Sequence, residues 1–134
     1  MIKRPKVLIV EDNLMHQKVI VHILNKYFTK DVITTANPKE AFPILRTNKP
    51  DFLIMDIEMP LMNGVEMLEL IRNMEGLEDL KVIAYSAKLE KEIIRETVKY
   101  SVLDYIYKGS DQKVIVARLN KHFKDFQSLN SKNE

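Results

Sequence analysis

The chain has 134 residues, enough for one domain with a sizeable buried core. Apolar residues make up 46% and charged residues 30%, with a net charge of +2 spread over interleaved lysines and acids, which is too weak a bias to select nucleic acid or an anionic membrane as partner. There is no cysteine for a disulfide or thiolate metal site, and only four apolar residues follow the basic start before Glu11-Asp12, too few for a signal peptide or membrane span, so a cytoplasmic protein is expected.

Lys6-Val7-Leu8-Ile9-Val10 reads as a first strand, ending in Glu11-Asp12-Asn13. Asp12 or Asn13 can cap the helix that follows, whose core face is predicted at Ile20, Ile23, Leu24 and Tyr27. Asp31 to Ala36 is a second strand. Asn37-Pro38 starts a helix with Ala41, Ile44 and Leu45 on its apolar stripe. Phe52 to Met55 is an apolar run suited to a strand buried on both faces, and it delivers Asp56 at its end. Met59-Pro60-Leu61-Met62-Asn63-Gly64 then forces a turn, because Pro fixes φ and Asn-Gly tolerates positive φ.

Val65, Leu68 and Ile71 mark the next helix, which stops near Gly76. Lys81 to Tyr85 is a fourth strand ending in Ser86-Ala87-Lys88. Leu89, Ile93 and Val98 sit on a helix rich in Glu and Lys, whose charged face (Lys91, Glu92, Arg95, Glu96, Lys99) reads as solvated. Val102 to Tyr107 is a fifth strand ending in Lys108-Gly109. Asp111 caps a last helix with Ile115, Leu119 and Phe123 inward. A domain over residues 1–127 is expected, with a disordered polar tail over 128–134. Five alternations of strand and helix mean an α/β fold: a doubly wound, five-stranded parallel sheet flanked by helices, with right-handed crossovers.

Strands of a parallel sheet all end at one edge, where open α/β sheets place their chemistry. Glu11 and Asp12 end the first strand, Asp56 the third, Ser86 the fourth and Lys108 the fifth. Acids brought this close repel one another, and their pKa values rise unless a cation joins them. A hard divalent ion suits such oxygens, and magnesium takes one or two carboxylates plus a phosphate oxygen. Lys108 and Ser86 suit an anion beside that metal. The set reads as a site for a phosphoryl group with Asp56 as acceptor. His16, His22 and His122 share no metal-ligand spacing and read as structural.

These residues resemble a response-regulator receiver domain of two-component signalling. The acidic pair Glu11-Asp12, the Asp56 turn with Met59-Pro60 and Gly64, Ser86-Ala87, Tyr105 and Lys108 all fall in that family's order and spacing. The resemblance covers nearly all of residues 6–127 and implies a flavodoxin-like sheet of strand order 2-1-3-4-5. It implies transfer of a phosphoryl group from a phosphohistidine, on a histidine kinase or histidine phosphotransfer protein, to Asp56 as nucleophile. Glu11, Asp12, Asp56 and the backbone carbonyl of Glu58 would hold Mg2+. Lys108 would pair with a phosphate oxygen, Ser86 would turn its hydroxyl onto the phosphate, and Tyr105 would rotate inward. The output would be a changed surface on the fourth helix, fifth strand and fifth helix, read by an unknown downstream protein, with the chain a stand-alone receiver, as monomer or phosphorylation-dependent dimer. Leu14, Met15 and Gly109 would form the rim where the histidine partner docks. Catalysis beyond its own phosphoryl transfer and slow autodephosphorylation is not expected.

Two features depart from the family. Gly109 stands where Pro usually follows the lysine; a cis bond before a non-proline residue costs roughly 2.5–4 kcal/mol, so a trans bond or a remodelled loop is expected, with glycine's wider φ range restoring the lysine's aim. Pro38 lies where the family often has Gly. Beside the site, Glu58 and Lys88 either pair across the mouth and restrict attacking water or are two solvated loop residues. Two other functions stay open: a pseudo-receiver that binds without phosphorylation, and a haloacid-dehalogenase-like phosphatase, which Glu58-Met59-Pro60 fits poorly.

Overall fold

The computed structural model describes residues 3–59 and 62–132. Five parallel strands form the sheet: β1 (Val7–Val10), β2 (Val32–Thr35), β3 (Phe52–Met55), β6 (Lys81–Ser86) and β7 (Val102–Tyr107). Their order is β2-β1-β3-β6-β7, the doubly wound arrangement expected. Between them run α1 (Leu14–Tyr27), α2 (Pro38–Asn48), α3 (Gly64–Arg72) and α4 (Lys91–Val98), and α5 (Gln112–Lys132) closes the chain. No helix among the described residues is long and apolar enough to cross a membrane.

The side-chain period of two splits each central strand between two cores. Val7, Ile9, Phe52, Ile54, Ile83 and Tyr85 pack against Ile20, Ile23 and Leu24 of α1 and Ile115, Leu119 and Phe123 of α5. Leu8, Val10, Leu53, Met55 and Val82 pack against Ala41 and Leu45 of α2 and Met67, Leu68 and Ile71 of α3. Tyr27, predicted inward, is exposed, as is Val98 at the end of α4. The inward position on α4 is taken by Thr97, which is fully buried.

Asn13, Asn37 and Asn63 each cap a helix by accepting a backbone N–H on the side-chain oxygen. The turn after Asp56 is a small antiparallel ladder, β4 (Glu58–Met59) with β5 (Met62–Asn63), which the sequence does not announce. Pro60 and Leu61 of that turn, and residues 133–134 of the expected tail, lie outside the described residues. Gly64 is not at positive φ; it is the first residue of α3, and a Cβ there would stand 2.5 Å from the Ile57 carbonyl oxygen. Close approach, not turn geometry, requires glycine there. The tail expectation is corrected: α5 continues past Ser128 to Lys132. Adding polar residues to a helix already anchored by buried Phe123 and Phe126 costs little, since nucleation is the expensive step.

At the edge where the strands begin, Arg72 at the end of α3 turns its guanidinium inward. It donates to the carbonyls of Leu77, Glu78, Leu80, Tyr100 and Ser101 at 2.7–3.2 Å. One side chain thereby ties α3, the loop before β6 and the turn before β7.

Candidate functional site

The predicted site residues meet where the strands end, and the backbone ladder carries them there. The Glu11 amide donates to the Thr35 carbonyl at 3.0 Å, the Asp56 amide to Val10 at 3.1 Å and the Lys108 amide to Ser86 at 2.8 Å. Each side chain is thus launched from a position fixed by the next strand.

Lys108 lies at the centre. Its side chain is 5% exposed, with Nζ 2.5 Å from Glu11 Oε1 and 2.7 Å from Asp56 Oδ2. Asp56 is buried, and its Oδ1 accepts the Glu58 amide at 2.9 Å. Glu11 is buried too; its Oε2 accepts the Asn13 amide at 3.2 Å, and its Oε1 meets the ammonium as an ion pair without any other donor. Burial pushes the Glu11 carboxyl up, and the Asp56 charge adds to the rise, against the opposing pull of Lys108 and the Asn13 amide. Beneath the ammonium lies the Tyr85 ring, 5.5 Å from Nζ to centroid. Burial, then the charges of Glu11 and Asp56, push the Tyr85 hydroxyl up to about 12.

Asp12 is exposed and completes the acids: Glu11, Asp12 and Asp56 each offer an oxygen, all within 4.8 Å of one another. Three hard donors in that space, two of them on buried side chains, fit a small divalent cation such as magnesium. The Glu58 side chain is exposed and outside this group, and among the described residues it makes no ion pair with Lys88. The proposed bridge across the mouth is therefore absent.

Ser86 is fully buried at the same edge, but its hydroxyl is turned to its own loop. It donates to the Lys88 carbonyl at 2.8 Å and accepts the Lys88 amide at 3.2 Å. Tyr105 is half-buried, with its hydroxyl 2.7 Å from Thr97 Oγ1 on α4. Leu14 and Met15, just after the acidic pair, are 63% and 74% exposed. The Lys108–Gly109 bond is trans, and Gly109 does not use positive φ. A Cβ at Gly109 would instead overlap the Tyr107 ring, which lies over this turn.

His16 is the residue that sequence reasoning missed. Its Nδ1 is 3.2 Å from Lys108 Nζ and 4.0 Å from Glu11 Oε1. The available signal was helical register: His16 follows Asp12 by one turn, so its ring returns to the site's edge.

The sequence matches the family model for the response regulator receiver domain over residues 7–120. It is 31% identical over 116 residues to the hybrid signal transduction histidine kinase D of Dictyostelium discoideum, covering 87% of this chain and 7% of the kinase. It is 28% identical over 118 residues to the chemotaxis protein CheY of Pseudomonas aeruginosa, covering 88% of this chain and 95% of that protein. The chain spans less than a third of several other curated relatives. Among solved structures, CheY4 of Vibrio cholerae superposes with a TM-score of 0.80 at 21% identity, over 89% of this chain and 98% of that one.

Proposed function

The chain belongs to the response regulator receiver family, and from that premise we propose that it accepts a phosphoryl group from a phosphohistidine onto Asp56. The observation that carries this reading is the Lys108 ammonium 2.7 Å from Asp56 Oδ2, with the carboxylates of Glu11 and Asp12 alongside. An Asp56 oxygen attacks phosphorus, the bond from phosphorus to the partner's imidazole nitrogen breaks, and the product is an acyl phosphate. Asp12, Asp56 and the Glu58 carbonyl, with Glu11 directly or through water, would hold Mg2+, which supplies neutralising charge for the phosphoryl oxygens. Lys108 exchanges its contact with Asp56 for a phosphoryl oxygen, keeping the new charge paired.

The switch follows from the hydroxyls. Ser86 leaves Lys88 and donates to the phosphoryl group, and Tyr105 moves into the space so freed. Because Tyr105 is bonded to α4 through Thr97, its movement alters the face formed by α4, β7 and α5, where a downstream protein reads the state. The exposed Leu14 and Met15 with Gly109 supply the docking rim for a histidine kinase or phosphotransfer protein. The protein acts as a cytoplasmic signalling phospho-acceptor, not as a turnover enzyme.

Intact mass after incubation with acetyl phosphate or phosphoramidate tests the reading. One added phosphoryl group is expected in wild type with Mg2+, and none without the metal or in Asp56→Ala. Donor turnover without an adduct would favour a phosphatase, and neither adduct nor turnover a pseudo-receiver.

A further inference from the structure

We infer that His16 is a positioning residue for Lys108: its imidazole Nδ1 is the third partner that aims the ammonium at the acceptor aspartate. The inference rests on the proposed phosphoryl transfer for its consequence, though not for its geometry.

An ammonium carries three N–H donors and no acceptor. Lys108 Nζ has three neighbours: Asp56 Oδ2 and His16 Nδ1 in hydrogen-bonding geometry, and Glu11 Oε1 as an ion-pair partner. With the side chain 5% exposed, bulk water is a poor substitute for any of them. For Nδ1 to accept, the ring proton must lie on Nε2 and the imidazole must be neutral. The backbone that carries the ring is tied at the first turn of α1. The His16 amide donates to Asn13 Oδ1 at 3.0 Å, and Gln17 Nε2 donates to the Glu11 carbonyl at 3.2 Å.

The third acceptor matters because of what the other two do. Both are carboxylates, and one of them must become the acyl phosphate. When Asp56 is consumed, Lys108 retains Glu11 alone unless another group holds it. His16 comes from a different element and keeps the ammonium in place while its third donor passes to a phosphoryl oxygen. An Asp or Glu at position 16 would also accept, but would add a fourth negative group where charge must be neutralised. A neutral acceptor satisfies the donor without that cost.

The test compares wild type, His16→Leu and His16→Asn in phosphorylation by phosphoramidate with Mg2+, following the dependence of rate on donor. His16→Leu fills the volume but offers no acceptor. Its maximal rate should fall about ten-fold, the effect of one charge-assisted hydrogen bond. Magnesium affinity, half-saturating donor concentration and thermal midpoint should change little. His16→Asn, whose Oδ1 can stand where Nδ1 stands, should restore most of the rate. A packing role predicts instead that Leu is tolerated and Asn is not; that result, or equal loss in both, would overturn the assignment. Should His16→Leu not fold, His16→Ala replaces it under the same criteria. A second readout needs no phosphoryl transfer: the 15N signal of the Lys108 ammonium in the unphosphorylated protein, assigned by its loss in Lys108→Arg. It should shift in His16→Leu and stay near its wild-type position in His16→Asn, and an unmoved signal in His16→Leu overturns the contact. If wild type takes no phosphoryl group, the proposed function fails while this signal still decides the role of His16.

Discussion

Two cations stand at opposite edges of the sheet, a half-buried Arg72 and a Lys108 with a buried side chain, and they are held in different ways. Among the described residues the Arg72 guanidinium donates to five backbone carbonyls, from two segments, the loop before β6 and the turn before β7. The Lys108 ammonium meets side chains: two carboxylates and an imidazole. Carbonyls belong to the fold and cannot leave without moving the chain. Side chains can exchange one partner for another at little backbone cost. The planar fork of arginine suits the first task and the compact, mobile charge of lysine the second. The same requirement, satisfying a cation drawn in from water, thus produces a staple at one edge and an exchangeable contact at the other.

The largest effect should come from breaking the staple. Arg72→Ala strands several part-buried carbonyls and should cost roughly 3 kcal/mol in urea unfolding. Magnesium should not recover that loss, because none of the lost acceptors lies near the acids. Lys108→Met should cost less, about 2 kcal/mol in metal-free buffer at neutral pH, from two buried carboxylates left without their counter-charge. Millimolar Mg2+ should recover much of it, since a metal at the same acids supplies positive charge and binds only the folded state. If Mg2+ rescued both variants or neither, the contrast between the two edges would collapse.

Glu11 sharpens the contrast through pH. Burial raises its carboxyl above the ordinary value of 4.5, so the folded protein binds that proton more tightly than the unfolded chain does. The resulting stability is fully present below the unfolded pKa and is lost as pH rises through the folded one. Glu11→Gln cannot ionise and escapes that loss. In metal-free buffer, its stability relative to wild type should therefore rise between pH 4.5 and 7. Added Mg2+ should favour wild type instead, because the variant has lost one ligand. A stability difference that stays flat across that range would show that the carboxyl is not perturbed by its burial.

These cases also show what the sequence reveals. The β-branched runs identify five strands, and parallel topology then brings Glu11, Asp12, Asp56, Ser86 and Lys108 to one edge, where the structure has them. Identity by strand end is enough for such residues, because the ladder does the placing. It is not enough for Arg72, which reads as an ordinary basic residue in a helix's last turn. Its carbonyl partners carry no side-chain signature. His16 was hidden for a related reason: it lies on a helix, and its contact depends on where the first turn of α1 begins. The β4–β5 ladder has two residues per strand, too few for a period to register. Gly109 suggested a backbone conformation, but its neighbour's ring covers it.

The smallest predicted effect tests whether the phosphoryl site's edge is tied to α4 and not to the edge that holds Arg72. Thr97 Oγ1 is 2.7 Å from the Ile93 carbonyl one turn earlier and 2.7 Å from the Tyr105 hydroxyl. With its only proton on Ile93, Thr97 must accept from Tyr105. Tyr105→Phe therefore removes a donor and leaves Thr97 still bonded to its own helix, at a cost of about 1 kcal/mol. Thr97→Val keeps the volume and removes the acceptor. In a double-mutant cycle the pair should couple by about 1 kcal/mol, since each change alone destroys the same bond. Amide exchange should quicken along α4 in both variants and stay unchanged at the carbonyl web around Arg72. That pattern would make the Tyr105 hydroxyl the tie between the phosphoryl site's edge and α4. No coupling would mean that Tyr105 can turn without pulling on the helix, and a signal at Asp56 would then have to reach α4 through the loop that holds Ser86 and Lys88.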